Sequence, residues 1–210
     1  MQFWQVISFK QNSDFFMTLE NLKGKRILLA SKSQRRHYLL KELGIKFEVV
    51  DNIQDDESYP EELPLEEIPV FLAKKKADKY DELLDENCIL ITADTIVWCN
   101  NRVINKPDSY DEAYQMLSDL SDNKHTVITG VCLRSAEKEI TFFATTDVYF
   151  SKLSDNEVDY YLRKFKPFDK AGAYGIQEWI GYIGVEKING SYFNVMGLPV
   201  QKVYKGLKKF

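Results

Sequence analysis

The stretch CILITADTIVW occupies residues 88–98, and apart from its threonines it contains a single polar residue, Asp94. Such an apolar run indicates a strand buried at the centre of a sheet, where both faces are covered. An ionised carboxylate in a buried strand is costly unless it is paired or bound to a metal. Because ligands of α/β sheets gather at strand ends, Asp94 is a candidate general base or metal ligand. The alternative is a structural Asp94 that caps the strand end or a turn.

Outward from this strand, the sequence alternates between patterns typical of strands and of helices. Further strands are predicted at residues 26–30, 46–51, 102–104, 126–134, 139–151 and 182–188, with the fourth and fifth of these forming an antiparallel pair. Helices are predicted at residues 34–43, 68–84, 110–120, 155–165 and 198–207, with Gly44 directly after the first and Ser154 as N-cap of the fourth. This mixed order predicts an α/β fold with a mixed sheet covered by helices.

The chain has 210 residues, a length that suits one domain or two small lobes. Residues 1–24 show no sustained period, and the globular pattern begins at Lys25. We interpret residues 1–24 as an N-terminal extension and residues 25–210 as a single domain. A second methionine, Met17, opens the possibility that translation starts there and that residues 1–16 are not native. The alternative is an additional ordered N-terminal strand.

Charge and hydropathy exclude several classes of protein. Lys and Arg number 28 against 32 Asp and Glu, so the net charge is −4 and the isoelectric point lies near 5.4. This balance argues against a general binder of nucleic acid or of anionic membranes, although it allows a small basic pocket for one anion. No apolar run approaches the roughly 20 residues that span a bilayer, and residues 1–16 lack the pattern of a signal peptide.

Cysteine and histidine usage narrows the site chemistry. Cys88, Cys99 and Cys132 are too scattered for a metal site or a disulfide framework, so we expect reduced, buried thiols in a cytoplasmic protein. The chain has only two histidines, which cannot form a histidine-rich metal site. A metal would therefore be bound by carboxylate and phosphate oxygens, which suits Mg²⁺ or Mn²⁺.

The segment SKSQRR, residues 31–36, joins a predicted strand to a predicted helix and has an unusual charge pattern. A helix N-terminus carries partial positive charge and free N–H groups, so acidic residues are favoured there. Here Arg35 and Arg36 occupy the first turn, and Lys32 precedes it. A phosphate would satisfy both the N–H groups and the guanidinium groups, which makes the segment a candidate anion site. The alternative is that Ser33 is an ordinary N-cap and the arginines are solvated.

Three consecutive lysines, Lys74, Lys75 and Lys76, lie in the helix predicted at residues 68–84. Helix geometry directs Lys75 to solvent and places the other two at the edges of the apolar face. Either edge lysine could extend into a cleft, although spacing alone favours a solvated charge run. Six glycines lie between residues 172 and 197, but the chain has neither a GxxxxGK[ST] loop nor a GxGxxG motif after a strand.

Several short segments occur in a distinctive order. They are SKSQRR at residues 31–36, AKKKA at 73–77, ADTIV at 93–97, KP at 106–107, DKAGAYGIQ at 169–177, INGSY at 188–192 and GLP at 197–199. Each alone is a weak signal. Together and in this order, they resemble the Maf family of nucleotide pyrophosphatases over nearly the whole chain, from about Arg26 onward.

The resemblance implies an elongated mixed β-sheet flanked by helices, with a central nucleotide cleft similar to that of inosine triphosphatases. It implies hydrolysis of a nucleoside triphosphate to the monophosphate and pyrophosphate, with Mg²⁺ or Mn²⁺ as the cation. Asp94 is then the proton acceptor that activates water, and Glu57 together with Asp94 binds the metal. The residues implied to bind the phosphates are Ser31, Arg35, Arg36, Lys76 and Lys106, and those implied to select the substrate are Arg35, Thr95 and Gln177.

The form AGAYGIQ is similar to the subgroup that acts on dTTP and UTP. Two positions depart from the family pattern without removing a charged group: Gln34 replaces a proline, which leaves the loop less rigid, and Thr92 replaces a glycine. One rival function is a non-catalytic nucleotide-binding regulator of cell division, since the family name derives from an effect on septum formation; Asp94 and Lys106 argue against it. A second rival is a 7-methyl-GTP pyrophosphatase, which Gln177 argues against. The expected partner is a nucleoside triphosphate, and the sequence does not decide whether a homodimer forms.

Overall fold

The computed structural model describes residues 19–50 and 56–210, and those residues form one seven-stranded mixed sheet. The strands are β1 (Arg26–Ala30), β2 (Glu48–Val49), β3 (Cys88–Cys99), β4 (Arg102–Ile104), β5 (Lys124–Arg134), β6 (Glu139–Phe150) and β7 (Val185–Asn189). Their order is β2-β1-β3-β5-β6-β7, and β4 pairs with β3. β1 runs parallel to β2 and β3, and the other pairs are antiparallel. The predicted α/β fold with a mixed sheet is confirmed.

Helices cover both faces of this sheet. They are α1 (Gln34–Glu42), α2 (Glu67–Asp78), α3 (Tyr110–Leu120), α4 (Asp155–Phe165), α5 (Trp179–Gly184), α6 (Tyr192–Val195) and α7 (Val200–Leu207). α2 packs on one face, whereas α1, α3, α4 and α7 contribute to the larger core on the other. Among the helices of the described residues, none is both long enough and apolar enough to cross a membrane.

Where local signals are strong, the predicted elements are confirmed. α3 and α4 have the predicted bounds, and β5 pairs antiparallel with β6. Ser154 caps α4 as predicted: its Oγ accepts from the Glu157 N–H, and the Glu157 carboxylate accepts from the Ser154 N–H at 2.7 Å. Gly44 follows the C-cap of α1 with φ +72°, the left-handed conformation that favours glycine.

The strand predicted at residues 182–188 is wrong in its first half, because α5 continues to Gly184 and β7 begins only at Val185. The tyrosine and isoleucine of this segment favour a strand locally. However, Ile180 is completely buried in the core, and Gly181 lets the helical turn close against Ile176. A Cβ at Gly181 would lie 1.9 Å from the Ile176 carbonyl oxygen. Tertiary packing therefore overrides the local preference.

Other predicted boundaries also need correction. The helix predicted at residues 68–84 is in fact two elements. α2 ends at Asp78, and a separate 3₁₀ turn covers Asp81–Leu83. The strand predicted at residues 46–51 shortens to β2, an exposed edge strand, and its last predicted residue lies outside the described residues. The closing helix starts two residues later than predicted, since Pro199 occupies the N-cap position. α6 and the 3₁₀ turn Ala171–Ala173 were not predicted.

The residues just before β1 pack against the domain. Leu19 and Leu22 contact the main core, and Asn21 Nδ2 donates a hydrogen bond to the Leu207 carbonyl in α7 at 2.8 Å. This contact joins the start of the described chain to its last helix. The interpretations of residues 1–16 and of Met17 lie outside the described residues.

Gly130 in β5 brings α2 unusually close to the sheet. A Cβ at Gly130 would lie 2.3 Å from both the Pro69 carbonyl carbon and the Val70 nitrogen, so the first turn of α2 rests directly on the strand. Gly130 is also the partner of Asp94 across the β3–β5 ladder. Because Lys76 lies about two helical turns after Pro69, this close approach helps bring the lysine to Asp94.

Candidate active site

The sheet has a gap along one edge of β3. On that edge β1 pairs with residues 88–92 and β4 pairs with residues 97–99, so residues 93–96 have no strand partner there among the described residues. The other edge is paired with β5 over residues 90–98. A cavity of about 310 Å³ opens at the gap and is lined by Asp94 and Thr95. An interruption in strand order is a common position for a ligand site in α/β folds.

The cavity carries a local excess of positive charge in a chain whose net charge is −4. The cationic side chains that line it are Lys32, Arg35, Arg36, Lys76, Lys106 and Lys170, and the acidic ones are Glu57, Asp94 and Asp169. Ser31, Thr95 and Gln177 line it too, so all the predicted site residues lie in one cavity. Such an arrangement suits a small polyanion.

Asp94 and Lys76 form a buried ion pair. Lys76 Nζ lies 2.6 Å from Asp94 Oδ1, and both residues are 7% exposed. Lys76 therefore extends from α2 into the cavity, whereas Lys74 pairs with Glu139 at 2.8 Å. Removing one member of a buried pair leaves the other uncompensated, so each charge helps to keep its partner in place.

Arg35 and Arg36 fold back from α1 over the cavity. Arg36 Nε donates to the Gly197 carbonyl at 2.8 Å, and its Nη2 donates to Thr95 Oγ1 at 3.0 Å. Arg35 Nε donates to the Met196 carbonyl at 3.3 Å. Both arginines are thus hydrogen-bonded to the loop after α6. The alternative prediction, in which they are solvated, is wrong.

The start of α1 lies at the same cavity. Ser33 occupies the N-cap position with an extended backbone, but its side chain makes no capping hydrogen bond. Its N–H instead donates to Ser31 Oγ at 3.2 Å. Because the Ser33 side chain makes no capping hydrogen bond, it does not compete with an anion for the N–H groups at the positive end of α1.

Glu57 and Lys106 are hydrogen-bonded to each other on the rim of the cavity. The loop that carries Glu57 is anchored by Lys75, whose Nζ donates to the Ser58 carbonyl and Oγ, each at 2.9 Å, and pairs with Asp56 at 2.7 Å. The prediction that Lys75 points to solvent is therefore wrong. Its partners come from a loop whose path the helix pattern does not indicate.

Thr95 and Gln177 differ in the hydrogen bonding of their side-chain oxygens. Thr95 Oγ1 is within 2.9 Å of Thr129 Oγ1 and also accepts from Arg36. Gln177 Oε1 is buried and has no hydrogen-bond partner within the described structure. A buried acceptor without a partner is costly, and a donor on a bound ligand would satisfy it.

Two charged residues of the cavity received no role from the sequence. Asp169 accepts from Lys170 at 2.6 Å and lies 3.5 Å from Arg35 Nη1. Lys170 is 8% exposed and is also 3.3 Å from Glu178. Both belong to the DKAGAYGIQ segment, which the sequence had already singled out as a family motif. Only the folded chain shows that they lie near Arg35.

His125 is buried behind the cavity, where its Nε2 lies 2.7 Å from the hydroxyl of Tyr174. Burial lowers the pKa of the imidazole to about 4, against about 6.5 for an unfolded histidine. Between these values the unfolded chain binds a proton that the folded chain does not. The free energy of unfolding should therefore fall by up to about 1.4 kcal/mol per pH unit as the pH drops from 6.5 toward 4.

Urea unfolding of the native chain and of His125→Gln between pH 5 and pH 7 measures this effect. Every titratable group except His125 is common to the two proteins, so the difference between the two curves reports His125. We expect the native curve to be the steeper one below pH 6.5. Parallel curves would show that His125 can bind its proton in the folded state.

A family model described as Maf-like protein matches residues 26–210. The chain belongs to the Maf family. The family resemblance of the short segments is thereby confirmed, and the match covers every Maf motif along with the entire cavity.

Several curated relatives in the Maf family carry the name dTTP/UTP pyrophosphatase. One from Parabacteroides distasonis is 55% identical over 192 residues, which cover 91% of this chain and 100% of the relative. Another from Phocaeicola vulgatus is 54% identical over 191 residues, covering 91% and 99%. One from Porphyromonas gingivalis is 45% identical over 194 residues, covering 91% and 98%. A solved dITP/XTP pyrophosphatase from Mycobacterium abscessus matches 61% of this chain and 75% of its own at 17% identity and a TM-score of 0.35, too distant to bear on function.

Proposed function

We propose that this protein hydrolyses dTTP and UTP between the α and β phosphates, releasing the nucleoside monophosphate and pyrophosphate. The observation that carries the proposal is the buried Asp94–Lys76 pair at the gap of the sheet, in a cavity rich in cationic groups. The Maf family assignment and the names of relatives 45–55% identical support the same reaction.

The phosphate chain would be bound by the arginines of α1 and the lysines of the cavity. Arg35 and Arg36 offer planar guanidinium groups that match phosphate oxygens, and Ser31 with the start of α1 offers further donors. Lys76 and Lys106 supply two more charges from the opposite elements. A triphosphate carries about four negative charges, so binding it in an acidic protein requires such a cluster.

Asp94 would act as the general base. A water molecule attacks the α phosphorus, its proton passes to the Asp94 carboxylate, and the bond from the α phosphorus to the bridging oxygen breaks. Pyrophosphate leaves with that oxygen, and the proton later returns to solvent. Lys76, already 2.6 Å from Asp94 Oδ1, stands beside the reacting phosphate and offsets the charge that develops there.

A divalent cation, Mg²⁺ or Mn²⁺, fits the donors of this cavity. The carboxylates that line the cavity include Glu57 and Asp94. Among residues 19–50 and 56–210, no cluster of three or more His, Cys, Asp or Glu side chains could hold a metal ion by itself. Mg²⁺ is commonly held by one or two carboxylates, with phosphates and water completing its shell. When bound, such a cation neutralises phosphate charge.

Base selection would fall to Gln177, with Thr95 and Arg35 beside it. Uracil and thymine share a donating N3–H that cytosine lacks. The buried Oε1 of Gln177, which has no partner in the described structure, is suited to accept from it. This chemistry supports pyrimidines of the uracil type over cytosine.

The experiment is a comparison of dTTP, UTP, CTP, GTP and 7-methyl-GTP as substrates, with Mg²⁺ or Mn²⁺ and with a chelator as control. We expect monophosphate and pyrophosphate from dTTP and UTP. In ¹⁸O-labelled water the label should enter the monophosphate. Tight binding without turnover would favour the regulator of cell division instead. Turnover of 7-methyl-GTP alone would assign the other subgroup, and release of orthophosphate would contradict attack at the α phosphorus.

A cytoplasmic location and a single domain over residues 25–210 are part of the proposal. Three free thiols, those of Cys88, Cys99 and Cys132, are buried, and burial raises the pKa of each. Such thiols are protonated and inert, as in a reducing compartment. The single sheet runs from β1 to β7, which supports one domain.

A further inference from the structure

The turn formed by residues 175–178 presents Gln177 to the cavity. The Glu178 N–H donates to the Gly175 carbonyl at 2.9 Å, which closes the turn. Both Gly175 and Gln177 line the cavity. A Cβ at Gly175 would lie 2.7 Å from Glu178 Cδ and 3.0 Å from Gln177 Nε2, so both side chains fold back over the glycine. The direction of the Gln177 amide therefore depends on how firmly this turn is held.

One hydroxyl from outside the cavity holds both ends of that turn. Tyr161 in α4 is completely buried, and its hydroxyl accepts from the Gly175 N–H at 3.0 Å while it donates to the Glu178 carboxylate. Burial and the neighbouring carboxylate raise the pKa of this hydroxyl well above its usual value, so it keeps the proton it donates. Buried hydrogen bonds to a charged group are among the stronger ones in proteins.

The same carboxylate continues the network into the cavity. Glu178 Oε1 lies 3.3 Å from Lys170 Nζ, and Lys170 in turn donates to Asp169 at 2.6 Å. Asp169 lies 3.5 Å from Arg35. The Tyr161 hydroxyl is thus linked to the turn that bears Gln177 and, through three charged groups, to an arginine of the phosphate site.

We propose that Tyr161 is a positioning residue that fixes the turn of residues 175–178 and thereby aims the Gln177 amide at the nucleobase. The inference rests on the proposed function, since it names how that site distinguishes one base from another. Tyr161 itself does not line the cavity. Its effect passes through Gln177, so it should appear in substrate preference.

The test is Tyr161→Phe, which keeps the ring and its stacking on Phe165 but removes the hydroxyl. We expect the ratio of kcat/KM for UTP to that for CTP to fall about tenfold, the loss of roughly one charge-assisted hydrogen bond. Tyr160→Phe is the matched control. Tyr160 is the adjacent residue, 42% exposed, and its hydroxyl accepts a hydrogen bond from Lys164 of the same helix at 2.6 Å. The control should leave the ratio unchanged.

A double-mutant cycle with Gln177→Ala separates positioning from a merely structural role. If Tyr161 acts through Gln177, adding Tyr161→Phe to Gln177→Ala should not change the UTP to CTP ratio further. A structural role would lower the activity toward both nucleotides equally and leave the ratio intact in either background. That outcome would overturn the proposal.

Glu178→Gln provides a second route should Tyr161→Phe fail to fold. It retains an acceptor for the Tyr161 hydroxyl but removes the negative charge that faces Lys170, so we expect a smaller fall of the same ratio. An unchanged ratio in a folded Glu178→Gln would count against the network. Absence of hydrolysis by the native chain would instead refute the proposed function, which keeps the two failures distinct.

Discussion

Asp94→Asn should lower kcat for dTTP and UTP by a factor of about 10² to 10⁴, the range associated with loss of a general base. Asparagine has nearly the volume of aspartate and can accept a hydrogen bond from Lys76, which lies 2.6 Å from Asp94 Oδ1. It cannot take the proton of the attacking water. We therefore expect KM to change much less than kcat, because the cationic groups that bind the phosphates remain.

Steady-state kinetics of purified Asp94→Asn, together with its urea unfolding curve, measures this effect. Asp147→Asn is the matched control, since Asp147 lies in β6 of the same sheet, accepts from Thr126 at 2.8 Å and does not line the cavity. The control should keep its kcat. A loss below tenfold in a folded Asp94→Asn would exclude Asp94 as the base and would leave it a structural partner of Lys76.

Gly130→Ala should destabilise the fold by about 3 kcal/mol, near the upper end of typical overpacking costs. The new Cβ would lie 2.3 Å from backbone atoms of Pro69 and Val70, which cannot rotate away. Either α2 must lift from the sheet or β5 must move. Because α2 also carries Lys76, we expect kcat/KM to fall even under conditions in which the variant remains folded.

Equilibrium unfolding in urea, compared with Gly206→Ala, checks the size of the effect. Gly206 lies inside α7, where a Cβ would lie 2.5 Å from Leu133 Cδ1, a side-chain end rather than backbone. In a helix interior, alanine is also more favourable than glycine by about 1 kcal/mol. The control should therefore cost clearly less stability than Gly130→Ala. Equal stability of Gly130→Ala and the native chain would show that α2 can shift without cost.

Asp94 and the arginines of α1 could be predicted because each breaks a local rule. A carboxylate in an apolar run and two cations at a helix start are both unfavourable in isolation, and the folded chain places both at one cavity. The choice between Lys74 and Lys76 could not be made from spacing, since both flank the apolar face of α2. It is decided by how α2 sits on the sheet, where Gly130 sets the distance.

Other features depend on contacts between residues that are distant in sequence. Tyr161 looks like an ordinary core residue of α4, and only the fold shows its hydroxyl between Gly175 and Glu178. The helix at residues 179–184 was missed for the same kind of reason, because Ile180 enters the core and outweighs the local preference for a strand. Periodicity indicates which face of a segment is buried. The hydroxyl contacts of Tyr161 and the helix at residues 179–184 depend instead on which residues of other segments pack against that face.

The gap along β3 has a consequence for how substrate choice can change during evolution. The strand is held at both ends, by β1 over residues 88–92 and by β4 over residues 97–99, so its register does not depend on residues 93–96. Substitutions in the loops that face that interval alter the cavity without breaking the ladders on that edge. New specificities can therefore arise from loop substitutions at few positions, while the strand pairing on that edge is retained.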